Sequence, residues 1–306
     1  MHKRVLLLGH TGFLGSNLHR LLVEKGYEVF GASKTNGFDL RQIGLLERIL
    51  DERNPQVVIN CAATVGGIEF GRKYPMKIYQ ENLQMGLNLI SATSGRDIQV
   101  INPISNCAYP GTAEIFKEED FWDGPLDESV LVYGGVRKAL WIGSYAVALS
   151  GVGTQTNLVF PNMYGPGDHL DPTRAHALGA LVYKFVKAKI ENNSSVTIWG
   201  SGKPVREWIY VDDAAKAILA SIGIKTDCHI INVGSGETIA VSDLAVKIAN
   251  EIGYTGQLVF DISKQDGAPY KSMSTRKLSA HLAWEPEVTL AEGISKTIKW
   301  YREKLS

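Results

Sequence analysis

The stretch Val5-Leu6-Leu7-Leu8-Gly9-His10-Thr11-Gly12-Phe13-Leu14-Gly15 decides the fold of this chain. Its apolar residues form a short continuous run, which predicts a central parallel strand buried on both faces. The glycines that follow have the spacing Gly-x-x-Gly-x-x-Gly, and residues 17–25 have the apolar periodicity of a helix. Glycines at such a turn let the backbone approach a pyrophosphate and let the helix pack on the strand. The stretch therefore predicts a dinucleotide-binding loop.

Beyond this stretch, predicted strands alternate with predicted helices through the first half of the chain. The strands are predicted at residues 27–32, 57–60, 98–102 and 156–160, and the helices at residues 42–52, 79–94 and 133–149. This alternation predicts an α/β fold with a right-handed, doubly wound parallel sheet of the Rossmann type.

After residue 165 the alternation becomes less regular. Helices are predicted at 177–190, at 242–252 with Ser242 as its N-cap, and at 290–304, and a strand is predicted at 196–199. We expect one dinucleotide-binding domain, made of residues 1–165 and about 207–236. We expect a smaller C-terminal α/β lobe for the substrate, made of residues 166–206 and 237–306.

The bulk composition is that of a globular enzyme. Of the 306 residues, 44% are hydrophobic and 21% are charged, and 32 basic side chains balance 32 acidic ones. This balance argues against a nucleic-acid or acidic-membrane partner. The odd number of cysteines, three, in no metal-ligand pattern, favours a reducing compartment and no metal site. With neither a signal peptide nor a transmembrane stretch in the pattern, the expected location is the cytoplasm.

The second strand favours NADP over NAD. An NAD site usually has a carboxylate at the end of this strand, for the adenosine ribose. Here the strand ends in Ser33-Lys34, which could accept a 2′-phosphate, so NADP(H) is expected, with NAD as the open alternative. Asp39, followed by Leu40, is a candidate partner for the adenine amine.

Tyr133 and Arg137 form a candidate catalytic pair. Residues four apart share one face of a helix, so the phenol and the guanidinium can reach one nicotinamide ribose. A cation beside the phenol is expected to lower its pKa and to make it an acid/base near neutral pH. Ser105, beyond the strand at 98–102, would complete a Ser/Tyr/cation set that polarises a carbonyl.

With these motifs and several later ones, the chain resembles an extended short-chain dehydrogenase/reductase, and most of all the GDP-L-fucose synthase family. That family consists of GDP-4-keto-6-deoxymannose 3,5-epimerase/4-reductases. The resemblance covers nearly the whole chain. Its motifs are Gly9-His10-Thr11-Gly12, Val65-Gly66-Gly67-Ile68, Ser105-x-Cys107-x-Tyr109-Pro110, Asn162-Met163-Tyr164-Gly165-Pro166, Trp199-Gly200-Ser201-Gly202, Arg206-Glu207, Val211-Asp212-Asp213 and Ile231-Asn232-Val233-Gly234-Ser235-Gly236.

The resemblance implies that one pocket carries out two reactions on a nucleotide-linked keto sugar. Cys107 and His176 match the residues that exchange protons at C-3 and C-5, and Tyr133 matches the acid for the C-4 oxygen. Arg206 matches the residue that grips the diphosphate. The implied substrate contacts are Val65, Gly66, Ser105, Asn106, Cys107, Asn162, Lys184, Trp199, Arg206 and Lys271.

The cofactor contacts expected from the loop and the resemblance extend across the sheet. They are Gly9, Thr11, Gly12, Phe13, Leu14, Gly15, Ser33, Lys34, Asp39, Leu40, Ala62, Ala63, Tyr133, Arg137, Pro161, Asn162, Met163 and His176. A homodimer through the helices at 79–94 and 133–149 is also expected, by analogy with the family.

The chain departs from the family pattern at several positions. Arg137 stands where the family has Lys, and the adjacent Lys138 points about 100° away on the helix, so it is not expected to substitute. Tyr270 replaces a basic residue and Ser274 an acidic one. Thr11 stands where members often carry Arg.

Two alternatives stay open. One is a nucleotide-sugar 4-epimerase or dehydrogenase with a tightly bound NAD(P). The other is a regulatory protein that binds a dinucleotide without turnover. Cys107 and His176 argue against the first alternative, and Arg137 leaves it open. Arg137 is the only support for the second, which Ser105, Tyr133, Cys107 and His176 oppose.

Overall fold

The structure is a computed structural model that describes residues 3–226, 228–264 and 266–306. The α-helices described are α1 (Phe13–Glu24), α2 (Leu45–Arg53), α3 (Ile68–Lys73), α4 (Pro75–Thr93), α5 (Leu131–Ala148), α6 (Ala177–Ile190), α7 (Val211–Ala220), α8 (Val241–Ile252), α9 (Arg276–Leu282) and α10 (Leu290–Leu305). The strands described are β1 (Arg4–Leu8), β2 (Glu28–Ala32), β3 (Val57–Asn60), β4 (Gln99–Ser105), β5 (Ile115–Phe116), β6 (Thr154–Phe160), β7 (Asn162–Tyr164), β8 (Ser195–Trp199), β9 (Val205–Tyr210), β10 (Ile230–Asn232), β11 (Thr238–Ala240), β12 (Gln257–Asp261) and β13 (Tyr270–Met273).

A six-stranded parallel sheet forms the centre of the molecule. Its strand order is β10-β6-β4-β3-β1-β2, and Val5 pairs with Val29 of β2 and with Val57 of β3. The chain leaves β1 toward β2 and then returns to place β3 on the other side of β1. The order therefore reverses at β1, and a crevice opens at the carboxyl ends of β1 and β3, where open α/β sheets bind ligands. The predicted doubly wound Rossmann fold is confirmed.

The pleat of β1 explains why its apolar run is continuous. Val5 and Leu7 pack into a core with α1 and α7, whereas Leu6 and Leu8 pack into a second core with α2, α4 and α5. All four side chains are buried, because helices cover both faces of the sheet. Burial on both faces thus fixes β1 at the centre of the molecule.

A second body of structure surrounds a separate core. α6, α8 and α10 pack around Phe185, Ile248 and Ile298. A small sheet of order β11-β9-β13-β5, with β7 beside β9, connects this body to the parallel sheet. Its strand β9 lies next to both β13 and β7, which brings residues far apart in the sequence to one edge of the crevice.

Some predicted boundaries and one cap are wrong. Helix α6 has the predicted bounds, but α1 begins at Phe13, directly after the glycine turn, rather than at residue 17. Ser242 is not the N-cap of α8, because strand β11 runs straight into the helix and Ala240 is its N-cap. Among the helices described, none is both long and apolar enough to cross a membrane.

Candidate active site

The glycine turn after β1 forms a tight cradle at the crevice. Gly9 has a positive φ of 75°, and its N–H donates to the carbonyl of Ala32 at 2.7 Å. A side chain at Gly15 would place its Cβ 2.1 Å from the Gly9 carbonyl oxygen. Gly12 begins α1 without a side-chain cap, so the first N–H groups of the helix are available to an anion. The turn therefore fits a dinucleotide pyrophosphate, and Phe13, Leu14, Ala62 and Ala63 flank it on the adjoining segments.

A cluster of hydroxyl groups closes the end of β2. The side chains of Thr11, Ser33 and Thr35 are mutually hydrogen-bonded, with Thr11 Oγ1 to Ser33 Oγ at 3.2 Å and Ser33 Oγ to Thr35 Oγ1 at 2.7 Å. Lys34 is exposed beside them. Thr35 was missed by the sequence analysis, and its nearness to Ser33 in the chain was the signal available. Hydroxyl groups and an ammonium suit a phosphate better than they suit a ribose diol.

Asp39 is engaged by a neighbouring cation. Both of its carboxylate oxygens accept hydrogen bonds from Arg41, and Arg41 Nη1 also contacts Glu81 Oε1 at 2.6 Å. The hydrogen bonds from Arg41 lower the pKa of Asp39 to about 2. The carbonyl of the adjacent Leu40 accepts from Asn88. A contact from Asp39 to an adenine amine therefore stays a prediction, and it would have to share the carboxylate with Arg41.

Tyr133 and Arg137 lie together on α5, as the i, i+4 spacing predicts. The guanidinium carbon of Arg137 lies 4.9 Å from the centre of the Tyr133 ring. Arg137 is only 4% exposed, and its Nη2 donates to Asn82 Oδ1 of α4 at 2.6 Å. Asn82 also accepts from the N–H of Thr64, so it connects the guanidinium to the segment after β3. Asn82 was missed by the sequence analysis, because its partner lies 55 residues away.

The expected low pKa of the Tyr133 phenol is contradicted. Burial raises the pKa of Tyr133, and this effect outweighs the opposing influence of Arg137. The thiol of Cys107 adds to the rise. The phenol therefore stays protonated at neutral pH, which is the form that donates a proton.

The turn after β4 places Ser105 and Cys107 against α5. Ser105 Oγ accepts the N–H of Cys107 at 3.2 Å and so caps the turn that contains Asn106 and Cys107. α5 approaches so closely that a Cβ at Gly134 would lie 2.2 Å from the Cys107 carbonyl oxygen. Cys107 and Tyr133 are thus close enough to influence each other electrostatically.

As expected, Lys138 does not take the place of the lysine that the family has at position 137. Its Nζ donates to the carbonyl of Phe121 at 2.7 Å and lies 4.4 Å from the centre of the Trp122 ring. The ammonium is therefore engaged by Phe121 and Trp122 rather than beside Tyr133, and burial lowers its pKa.

Two cations line the other edge of the crevice. Arg206 of β9 pairs in register with Lys271 of β13. Burial lowers the pKa of Arg206, and Asp127 and Cys107 oppose that shift, so Arg206 also lies near the thiol. Burial alone would raise the pKa of Asp127. The hydrogen bonds from Ser129, together with the nearby charges of Lys271 and Arg206, outweigh this effect and hold the pKa of Asp127 below its usual range. The pair provides the positive charge that a diphosphate needs.

Glu207, next to Arg206, was named in a motif but given no role by the sequence analysis. Its side chain is 1% exposed and accepts the N–H groups of Ser235 at 2.7 Å and Gly236 at 3.0 Å. It also accepts the N–H of Met273 at 2.5 Å. Burial raises the pKa of Glu207. The carboxylate ties β9 to β13, and thereby fixes Arg206 beside Lys271.

His176 lies at the start of α6, on the side of the crevice nearer the glycine turn. Its ring centre is 5.1 Å from that of Phe13, and its Nδ1 lies 3.1 Å from Asp168 Oδ1. Asp168 was missed by the sequence analysis, although its position in the loop before α6 was a signal. In the part of the chain described, no hydrogen bond or ion pair joins His176 to Cys107.

The remaining predicted contacts are distributed around the crevice. Pro161, Asn162 and Met163 follow the carboxyl end of β6, and Asn162 Nδ2 donates to the Glu207 carbonyl at 3.2 Å. Val65 and Gly66 lie in the loop between β3 and α3. Two of the predicted substrate contacts, Lys184 and Trp199, already have partners within the protein. Lys184 Nζ donates to the carbonyl of Thr197 at 3.0 Å. Lys264 Nζ lies 4.9 Å from the ring centre of Trp199.

Known proteins resemble this chain along its whole length. Residues 5–234 match the family model described as the NAD dependent epimerase/dehydratase family. A protein of Oryza sativa subsp. japonica named probable GDP-L-fucose synthase 1 is 32% identical over 99% of this chain and 93% of its own length. The GDP-L-fucose synthase of Escherichia coli (strain K12) is 31% identical over 98% of this chain and 97% of its own.

A solved structure has the same fold. It is described as a GDP-mannoheptose C4 reductase from Campylobacter jejuni with NADP bound. It superposes with a TM-score of 0.85 at 26% identity, and the match covers 98% of each chain.

Proposed function

The chain belongs to the NAD-dependent epimerase/dehydratase family, and from that premise we propose that it is an NADPH-dependent epimerase/reductase of a GDP-linked 4-keto-deoxy sugar. The resemblance to the GDP-L-fucose synthase family is confirmed by relatives of that name at 32% and 31% identity. One observation carries the proposal, namely that α5 packs against the turn of Cys107 so closely that a Cβ at Gly134, the residue after Tyr133, would lie 2.2 Å from the Cys107 carbonyl oxygen. Cys107 also lies within electrostatic reach of both Tyr133 and Arg206. A proton acid, a thiol and a phosphate-binding cation thereby share one pocket.

The cofactor would be held by the glycine turn, the hydroxyl cluster at Ser33 and the pair of Tyr133 and Arg137. When bound there, its nicotinamide supplies the hydride for C-4. The chain's own residues bind and orient the sugar, and they move protons. Arg206 and Lys271 hold the diphosphate, and Ser105 and Tyr133 face the C-4 oxygen.

The proposed order of steps begins with proton exchange. The C-4 ketone acidifies the protons on C-3 and C-5, so Cys107 can remove one while His176 returns one from the opposite face. Tyr133 then protonates the C-4 oxygen during reduction. Its raised pKa is consistent with this role, because the phenol must arrive protonated.

The direct test uses GDP-4-keto-6-deoxymannose with NADPH. We expect NADPH to be oxidised in proportion to the sugar consumed, and the purified protein to carry no tightly bound NAD(H). A protein that retains NAD(H) and interconverts a sugar without consuming NADPH would instead be a 4-epimerase. A protein that binds NADPH but turns over no keto sugar would support the regulatory alternative.

We expect NADPH to bind at least about tenfold more tightly than NADH, as one charge-assisted contact to the 2′-phosphate would give. Lys34→Ala should reduce this preference, because Lys34 is the exposed cation beside the hydroxyl cluster. Titration of the apoprotein with NADPH and with NADH measures the ratio of the two dissociation constants. Lys25→Ala, at the exposed far end of α1, is the control. Equal or tighter NADH binding by the unmodified protein would overturn the NADP assignment.

Arg137→Lys is expected to retain or raise the rate of reduction, since an ammonium keeps the positive charge beside Tyr133. Arg137→Met, which removes the charge, should lower kcat/KM by about tenfold or more. Steady-state kinetics of NADPH oxidation separates the two variants. If the lysine variant is inactive, the guanidinium has a role of its own, such as gripping the substrate through a fork that Lys lacks.

A homodimer is the partner we propose besides the nucleotide sugar. α4 and α5 pack side by side, and each exposes an apolar stripe at helical spacing. The stripes consist of Met76, Tyr79 and Leu87 on α4, and of Ile142 and Tyr145 on α5 with Leu149 at its C-cap. Two copies that meet through these stripes would bury both sets.

If the dimer forms through these apolar stripes, charged residues placed in the α5 stripe should dissociate it. Light scattering should give twice the chain mass for the unmodified protein and one chain mass for Ile142→Asp combined with Leu149→Asp. Ile262→Asp is the control, because Ile262 is 81% exposed and directly follows β12, which pairs with β8 rather than with either helix. An unmodified protein that is monomeric at micromolar concentration would contradict the proposal.

We also propose that the chain divides into the two parts expected from its sequence, with the nucleotide sugar between them. The cofactor part would be residues 1–165 with about 207–236, and the sugar part 166–206 with 237–306. The separate core around Phe185, Ile248 and Ile298 supports this division. The three free cysteines are consistent with the cytoplasm as the location.

A further inference from the structure

The loop before α6 contains a buried carboxylate that the reaction scheme above does not use. The Asp168 side chain is 0% exposed. Its Oδ1 accepts the N–H of His169 at 2.8 Å and lies 3.1 Å from His176 Nδ1, and its Oδ2 accepts the N–H of His176 at 3.0 Å. Both carboxylate oxygens therefore have partners within the protein, namely the backbone and ring of His176 and the backbone of His169.

The surrounding helices are shaped to admit this carboxylate. A Cβ at Gly179, in the first turn of α6, would lie 2.5 Å from Asp168 Oδ2 and 3.0 Å from the hydroxyl of Tyr301. Tyr301, on α10, donates to the carbonyl of His169 at 3.1 Å. Glycine at a helical position is less favourable than alanine. Here it leaves the space that Asp168 occupies.

The His176 ring also contacts the cofactor part of the molecule. Phe13, at the start of α1, packs against the ring with 5.1 Å between ring centres and a tilt of 42°. The His176 ring thus contacts both Asp168 and Phe13, while 31% of the side chain stays exposed. Of the two ring nitrogens, Nδ1 is occupied by Asp168, so Nε2 is the one left for a substrate.

We propose that Asp168 is a positioning residue that holds His176 in the tautomer with hydrogen on Nδ1, so that Nε2 is the atom that delivers a proton to the sugar. A carboxylate accepts but cannot donate, which excludes the opposite tautomer at this contact. This inference rests on the proposed function, in which His176 is the acid opposite Cys107.

The proton balance of the step is simple. The Cys107 thiolate takes the proton from C-3 or C-5 and becomes a thiol, which leaves an enolate stabilised at the C-4 oxygen. The His176 imidazolium gives its Nε2 proton to the same carbon from the opposite face and becomes neutral, with hydrogen retained on Nδ1. When His176 cannot deliver, the Cys107 thiol returns a proton to its own face, and the carbon exchanges without inversion.

The test separates inversion from exchange. The full-length protein is incubated with the GDP-linked keto sugar in heavy water without NADPH, and NMR measures deuterated sugar with inverted and with retained configuration. In Asp168→Asn, the amide NH₂ group replaces one oxygen that accepts hydrogen bonds, so one amide N–H must face an N–H donor. We therefore expect the yield of inverted product to fall about tenfold or more. This is the size of effect seen when a histidine in a functional site loses the group that orients its ring. Exchange with retention, which depends on Cys107, should change far less.

A second variant perturbs Asp168 without changing it, so the proposal can still be tested if Asp168→Asn does not fold. Gly179→Ala adds a methyl group at Asp168 Oδ2 but favours the helix, so a loss of inversion in this variant cannot come from helix propensity. Tyr301→Phe removes the neighbouring hydroxyl and leaves every hydrogen bond of Asp168 intact, so it is the matched control. NADPH affinity and the thermal midpoint report on the fold of each variant.

The imidazole nitrogens give a readout that does not depend on turnover. ¹⁵N NMR of the histidine-labelled protein, with one of the seven ring signals assigned through His176→Gln, shows which nitrogen carries the hydrogen. We expect the Nδ1–H form in the unmodified protein and a mixture in Asp168→Asn and Gly179→Ala. An unchanged tautomer together with an unchanged ratio of inverted to retained product in both variants would overturn the positioning role. If the unmodified protein incorporates no deuterium at all, the proposed function fails first, and this inference fails with it.

Discussion

Tyr133→Phe is expected to slow reduction of the keto sugar at least about 100-fold, the usual contribution of a general acid. The substitution removes only the hydroxyl group that protonates the C-4 oxygen. The ring remains, and with it the packing against Arg137 at 4.9 Å. The effect should therefore fall on kcat for NADPH oxidation, while NADPH affinity stays close to that of the unmodified protein.

Proton exchange should survive the same substitution. Exchange at C-3 and C-5 depends on Cys107 and His176, so deuterium should still enter the sugar in Tyr133→Phe. Tyr27→Phe is the control, because Tyr27 precedes β2 at the end of the strand away from the crevice. If Tyr133→Phe reduces the sugar at the normal rate, another group is the acid and Tyr133 has only a packing role.

The sequence predicted the fold well because the fold depends on local signals. The apolar run of β1, the glycine turn and the alternation of strands with helices are all legible within short windows. Errors arose where tertiary context overrides a local signal. Ser242 resembles an N-cap, but β11 enters α8 directly and makes Ala240 the cap.

The site was predictable only in part, for a similar reason. Spacing on one helix brought Tyr133 and Arg137 together, but spacing cannot show burial, which reverses the expected direction of the Tyr133 pKa. Glu207 and Asn82 were missed as well, because their partners lie tens of residues away and meet them only in the folded chain. Residues that hold others in place are therefore the part of this site that needed the structure.

Cys107→Ser is expected to abolish epimerisation, with a fall in deuterium incorporation at C-3 and C-5 of at least about 100-fold. A serine hydroxyl has nearly the shape of the thiol but is a far weaker acid, so it supplies almost no anion to act as a base near pH 7. The N–H of residue 107 would still donate to Ser105, so the turn after β4 should keep its form. NADPH binding should persist.

The measurement is NMR of the keto sugar incubated with each protein in heavy water, without NADPH. Cys228→Ser is the matched control, since Cys228 is buried and its sulfur accepts from Asn157 at 3.5 Å, a bond that a hydroxyl can also accept. If the unmodified protein incorporates no deuterium yet reduces the sugar once NADPH is added, the protein is a plain C-4 reductase. Cys107 and His176 then have structural roles only, because exchange at the α-carbons requires no hydride and should precede reduction.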